Sequence, residues 1–244
     1  MTSKRTRADR VAENLKWRIL SGDYRPGGKL PPELQLAAEL GVNRFTVREA
    51  MNQLEQMRLI TRKAGAGTRV LDYNEHASVD VIEYLVLSED GVVNIEMLDN
   101  LLELACILSA ELAALAAARR AEDDLIRLDV IVAKMRNEQN LSKLFWLDFD
   151  FNWALAGAAR NIVPRLLMNS VRGLLEKYCH LLETLWVTPG TISEGYQYVV
   201  EAVRKRDTHR ASALMRWVWT GRHQRFVEAA ARASTRPPPR ERHA

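Results

Sequence analysis

The stretch Leu36–Leu54, LAAELGVNRFTVREAMNQL, constrains this chain more than any other. Leu36, Ala37 and Leu40 close one apolar helical face, and Gly41 stands where a helix ends in a left-handed residue. Asn43 is placed to cap a second helix, its side-chain oxygen over the free amides of the next turn. From Arg44 onward, Val47, Ala50, Met51 and Leu54 recur at i, i+3, i+4 and i+7 and make one buried stripe. The other face carries Arg44, Phe45, Arg48, Asn52 and Gln53, donors and apolar groups of the kinds that meet phosphates and base edges in a major groove. Two helices divided in this way form either a plain αα-hairpin or a helix–turn–helix aimed at DNA.

The flanks favour the second. Residues 6–20 form a helix with Val11, Leu15 and Ile19 inward, and Ser21-Gly22-Asp23 breaks it before a turn at residues 24–28. Leu59-Ile60-Thr61-Arg62 and Thr68-Arg69-Val70-Leu71 read as two strands around a tip, Lys63-Ala64-Gly65-Ala66-Gly67. Gly65 and Gly67 allow the backbone close to a phosphate or a narrow groove, and Lys63 and Arg69 supply charge. Helix, helix–turn–helix and β-hairpin in that order make a winged helix. The charge is uneven in the same sense. Residues 1–71 hold 14 Lys and Arg against 7 Asp and Glu, a net of +7; the whole chain is +4, so the rest carries −3. A basic head on a mildly acidic remainder is the electrostatic footprint of a nucleic-acid reader.

Beyond a polar linker at residues 72–78, every periodic stretch has helical spacing. A short amphipathic helix over 79–87 precedes six longer ones at 94–120, 122–137, 141–159, 162–187, 193–205 and 208–233. The tail at 234–244, STRPPPRERHA, has no core residues and is expected to be disordered. The fold class is therefore mainly α: residues 1–71 form a winged helix–turn–helix, and residues 79–233 an all-α bundle of about seven helices. The apolar runs are short and interrupted, so neither a membrane span nor a secretory leader is expected. Cys106 and Cys179 sit in apolar helical patterns as buried free thiols, which fits a cytosolic location.

LPPELQLAAELGVNRFTVREAMNQLEQMRLITRKAGAGTRV resembles the DNA-binding head of GntR regulators, whose pattern runs from L-P-[SA]-E-R through G-V-S-R-x-T-V-R-E-A to a G-x-G-T wing. The resemblance implies phosphate and base contacts by Arg44, Thr46 and Arg48, with Phe45 on the same face, and wing contacts at Lys63, Gly65 and Gly67. It also implies a homodimer on a short inverted repeat of double-stranded DNA. One position departs: the family arginine after Pro-x-Glu is Leu34 here, so the operator is expected to differ.

The second half resembles the FadR subgroup of that family through Met97–Leu104, Leu147–Asn161 and Ala202–Met215. Many members bind a divalent metal with one Asp and three His. Here those positions are Asp148, Asn152, Tyr196 and Val218, a poor donor set, so no metal and no cofactor are expected. The subgroup arginine that grips small carboxylates falls at Ala105. What remains is aromatic: Phe149, Trp153, Tyr178, Tyr196 and Trp217 are the expected lining of an effector pocket. The readings that stay open are a fatty-acyl ligand, as in the FadR branch without metal histidines; a small organic acid; an aromatic core alone; or a domain that only dimerises.

An enzyme is not expected. Asp148 and Asp150 are two apart on a helix and face different ways. Gly-x-Ser-x-Gly, Walker and dinucleotide motifs are absent from the sequence, and Cys179 and His180 are neighbours in sequence on different sides of a helix. The sequence thus points to a DNA-binding regulator, a repressor by the commoner outcome in the resembled family, with operator affinity set by a small molecule.

Overall fold

The computed structural model describes residues 6–63, 65, 67–86, 93–186 and 191–234; for 174, 177–186, 191, 222 and 225–234 it describes the backbone alone. The chain forms two compact units, residues 1–94 and 95–244.

The first unit is built around three helices: α1 (Arg7–Leu20), α2 (Glu33–Glu39) and α3 (Arg44–Gln56). Thr6 and Asp9 close a capping box on α1, and Asn43 Oδ1 accepts from the Thr46 amide at 2.8 Å at the start of α3. Gly41, with φ of 63°, makes the turn between α2 and α3, a backbone state that a Cβ would strain. Val11, Leu15 and Ile19 meet Leu36, Val47, Met51 and Leu54 in one core, which continues into Leu59, Ile60 and Val70 of the wing. Leu54 is completely buried there, and Leu54→Ala would cost about 2–5 kcal/mol.

The wing pairs β1 (Ile60–Lys63) with β2 (Gly67–Val70) antiparallel, Ile60 opposite Val70. The chain after the expected turn at 24–28 also joins the sheet edge: Leu30 N donates to Thr68 O at 3.0 Å and Val70 N to Gly28 O at 2.9 Å. That third segment covers an otherwise open edge of β2.

The described residues 72–86 fall in this first unit, whereas the sequence spacing alone suggested a second domain from residue 79. A short helix α4 (Tyr73–His76) is followed by a 3₁₀ turn, Val79–Val81, and by α5 (Ile82–Val86). Val81 is part of the winged-helix core and Leu85 packs on it. Lys16 Nζ donates to the Tyr84 hydroxyl at 2.7 Å, and Trp17 meets the Tyr84 ring edge-on, centroids 5.4 Å apart. Enough apolar surface lies on 79–86 to bind it to α1, and sequence spacing does not say which neighbour a short amphipathic helix chooses.

The second unit contains α6 (Ile95–Arg119), α7 (Glu122–Asn137), α8 (Leu141–Ala158), α9 (Ile162–Trp186), α10 (Thr191–Arg204) and α11 (Thr208–Ser234). Helix α6 is central, packed against α8, α10 and α11. Its buried Ala110, Ala113, Ala116 and Ala117 let neighbouring backbones come close. Contrary to expectation, α6 is long and apolar enough to cross a bilayer by length and composition; its packing is that of a bundle's middle helix. Cys106 on it is only half-buried, and the Cys179 side chain lies outside the described residues.

One end of the bundle is tied by arginines on main-chain carbonyls. Arg120 Nη2 donates to Arg204 O at 2.8 Å, Arg206 Nη1 to Ala118 O at 3.1 Å, and Arg119 Nη1 to Ala159 O at 3.1 Å. These close the C-terminal ends of α6, α8 and α10, where unpaired carbonyls gather partial negative charge.

Candidate functional site

At the front of α3, Phe45 is 68% exposed, and Arg44 and Arg48 keep about two thirds of their side chains in solvent. A feature that sequence reasoning missed organises them. Glu33, in the first turn of α2, accepts from Arg44 Nε at 2.8 Å, and its other oxygen lies 3.6 Å from Arg48 Nε. The carboxylate sits at a helix N-terminus, where negative charge is favoured, and holds both guanidinium groups at one end of the reader. Proline before the helix and Glu at its first position were the available signal.

Thr46, expected at the same contact, is placed differently. It is buried, and its hydroxyl donates to Asn43 Oδ1 at 3.0 Å. At this position the side chain folds back on the cap, so its structural part is in the turn. Asn52 and Gln53 are also engaged within the unit. Arg62 Nη2 donates to Asn52 Oδ1 at 2.7 Å, and Gln53 Nε2 to Asp9 Oδ1 at 2.9 Å. Arg62 also binds Glu55, which holds that carboxyl below its usual range. Asp9 is likewise lowered, chiefly by the Thr6 amide and then by Gln53 and the Thr6 hydroxyl.

On the wing, Lys63, Gly65 and Gly67 are exposed, and both glycines have φ near 80°. Arg69, also expected to supply charge here, donates from Nη1 to Gly27 O at 2.8 Å.

In the second unit the polar interior is a directed chain of hydrogen bonds across three helices. Ser109 of α6 donates to Asn152 Oδ1 at 3.1 Å. Asn152 of α8 donates from Nδ2 to its own helix at Asp148 O, 2.9 Å, and to the Tyr196 hydroxyl at 3.2 Å. Tyr196 of α10 donates to Asp148 Oδ1 at 2.5 Å. All four residues are buried, and the Tyr196 ring lies stacked on Phe151, centroids 3.9 Å apart. Ser109 is a member that the sequence reading passed over; a single hydroxyl in an alanine-rich helix was the signal.

These residues do not fit a divalent metal. Three of the positions that the resemblance marks for ligands are Asn152, Tyr196 and Val218; the Asn152 oxygen and the Tyr196 oxygen already accept hydrogen bonds, and Val218 has no lone pair to give.

The aromatic residues expected around one effector pocket are dispersed. Tyr196 is completely buried in the polar chain, and Phe149 is buried facing Trp146, ring centroids 5.7 Å apart. Trp153 lies under the Arg165 guanidinium at 3.9 Å, and Trp217 is 60% exposed. The Tyr178 side chain lies outside the described residues. A cleft of about 460 Å³ between α7 and α8 is lined instead by Lys134, Lys143, Trp146, Leu147 and Asp150 among others. Burial there pushes the Asp150 carboxyl up, against Arg172 and Lys134. Periodicity marks which aromatics are inward in general; it does not say which inward faces meet.

Residues 7–70 match the model of bacterial regulatory proteins of the gntR family, and residues 100–221 match the FCD domain. The chain is 30% identical over 204 residues to the HTH-type transcriptional regulator LutR of Bacillus subtilis, covering 81% of this chain and 90% of that one. It is 28% identical over 157 residues to the fatty acid metabolism regulator protein of Proteus mirabilis, 64% of each chain. A solved structure titled as Lar, which controls the Listeria monocytogenes agr system, shares the fold with a TM-score of 0.55 at 18% identity, covering 93% of this chain and 99% of that one. The chain therefore belongs to the GntR family, with a winged helix–turn–helix head and an FCD domain: it is a DNA-binding transcriptional regulator, and its relatives are regulators, not enzymes.

Proposed function

We propose that the protein acts in the cytoplasm as a homodimeric repressor on a short inverted repeat, with Arg44, Phe45 and Arg48 in the major groove and the wing at Lys63, Gly65 and Gly67 against the backbone or minor groove. The observation that carries the reading is the exposed pair Arg44 and Arg48 held by Glu33 at the front of α3. A dimer presents two such fronts, and its twofold axis matches an inverted repeat. Support for pairing through the helical domain comes from exposed Ile162, Val163, Leu166 and Leu167 on one flank of α9, and from Leu104, Ile107 and Leu108 on α6. The test is a gel shift across a salt series with the protein's own upstream DNA, beside light scattering. A steep salt slope and a dimer mass support the proposal; no shift at low salt overturns it.

For the effector we propose an acyl chain rather than a compact anion. Neither a metal donor set nor an arginine at Ala105 is there to bind a small carboxylate, and one relative is named for fatty acid metabolism. By population shift, such a ligand alters DNA affinity only as far as it prefers one state of the protein. Mass spectrometry of lipids retained through purification tests it; recovery of a small dicarboxylate alone overturns it. The closed chain of Ser109, Asn152, Tyr196 and Asp148 favours a second reading, in which the helical domain serves only to dimerise.

A further inference from the structure

Among the described residues of the head, three large apolar side chains are strongly exposed: Leu34 at 72%, Phe45 at 68% and Val79 at 55%. Two of the three stand at the reading end. Leu34 follows Glu33 and Phe45 follows Arg44, so each apolar residue is next in sequence to one member of the Glu33–Arg44 ion pair that joins the first turns of α2 and α3. An isolated exposed leucine needs no explanation. An exposed leucine and an exposed phenylalanine, each next in sequence to a member of one ion pair, bring apolar and cationic groups to the start of α2 and α3.

Its electrostatics favour base edges over phosphates. Glu33 brings negative charge to this end, which opposes close approach of a phosphate. Its bond to Arg44 uses Nε, leaving the terminal nitrogens for guanine O6 and N7. Neither Leu34 nor Phe45 has a side-chain donor or acceptor. The one feature of a base pair in the major groove that such groups recognise is the C5-methyl of thymine.

We propose that Leu34 and Phe45 are specificity-determining residues that select thymines on either side of the base read by Arg44. The inference rests on the DNA-reading proposal above and adds the chemical class of base. Each half-site then carries a guanine flanked by thymine methyls, and burial of each methyl adds a few-fold to affinity.

The test uses the full-length protein and a library of random duplex DNA. Selected sites are resynthesised with deoxyuridine in place of each thymine in turn, which removes only the methyl. Wild type should lose about three- to five-fold at two positions of the half-site. Leu34→Ala should abolish the loss at one of them and Phe45→Ala at the other; both side chains are exposed, and circular dichroism checks that each variant is folded. Leu34→Arg should exchange thymine for guanine at the Leu34 position. Selected half-sites without thymine, or methyl losses that persist unchanged in both alanine variants, overturn the inference while leaving DNA reading intact. A library that yields no selected site and no binding overturns the DNA-reading proposal, and this one with it.

Discussion

One carboxylate serves two arginines: Glu33 accepts from Arg44 Nε at 2.8 Å and lies 3.6 Å from Arg48 Nε. Both arginines are mostly solvent-exposed, so the pairs contribute little to folding. Their consequence is for DNA. Glu33→Gln removes a negative charge from the reading end and releases both guanidinium groups. Affinity for unrelated duplex should rise several-fold and the ratio of operator to unrelated binding should fall. Fluorescence anisotropy on both duplexes across a salt series checks this; weaker binding to unrelated DNA would count against the role given to Glu33.

Arg44→Ala and Arg48→Ala should each cost roughly 1–3 kcal/mol of operator binding where the contact is bidentate. Thr46→Ala should behave differently. Its hydroxyl is buried against Asn43, so the substitution should lower the melting temperature and leave the affinity of the folded protein near wild type. Thermal melts beside titrations with operator separate the two effects.

Tyr196→Phe keeps the ring stacked on Phe151 and deletes the hydroxyl that lies between Asp148 and Asn152. Leaving those buried groups short of a partner should cost about 1–3 kcal/mol, a few degrees in melting temperature. Because the Asn152 and Tyr196 oxygens are taken up in hydrogen bonds and Val218 offers no donor, excess EDTA should leave the wild-type melt unchanged. Equal melting of Tyr196→Phe and wild type would show that the chain of hydrogen bonds carries no stability.

Acid should loosen the head. The Asp9 and Glu55 carboxyls are held below their usual range when folded, Asp9 chiefly by the Thr6 amide and Glu55 chiefly by Arg62. The native state therefore binds fewer protons than the unfolded chain across that range. Their contribution is present in full above the ordinary carboxylate range and is lost as pH falls through the lowered values. Asp9→Asn and Glu55→Gln should lower stability at neutral pH and flatten the acid limb of a melting-temperature profile. An unchanged acid limb in the double variant would contradict this.

Tyr84→Ala removes the partner of Lys16 and Trp17. The melting of the head should drop, because buried Lys16 would lose this hydrogen bond and Trp17 its ring contact. Hydrogen exchange should then show faster exchange along α1. No change in α1 would mean that residues 79–86 add nothing to the head.

The winged helix was legible because its signals are local and agree with one another. Gly41, the Asn43 cap, the stripe from Val47 to Leu54 and the two glycines of the wing each specify one small piece of backbone. The long helices were legible for the same reason, to within a residue or two at their ends. What the sequence withheld were choices among neighbours. Residues 79–86 carry an apolar face that serves equally well at the start of a bundle or on α1, and Val81 and Tyr84 choose α1. Phe149, Trp153 and Trp217 all look inward by composition, yet the structure sends them toward Trp146, Arg165 and solvent. The bond from the Thr46 hydroxyl to Asn43 was not legible, because local satisfaction of a cap does not show in a motif.

The arginine clasps on the carbonyls of Ala118, Ala159 and Arg204 have a bearing on how the molecule comes apart. Guanidinium keeps its proton at any pH a cell meets, and a peptide oxygen has none to exchange. Vinegar-strength acid that silences Asp9 and Glu55 leaves these fastenings as they were. Acid should thus weaken the contacts of Asp9 and Glu55 while these arginine–carbonyl contacts persist.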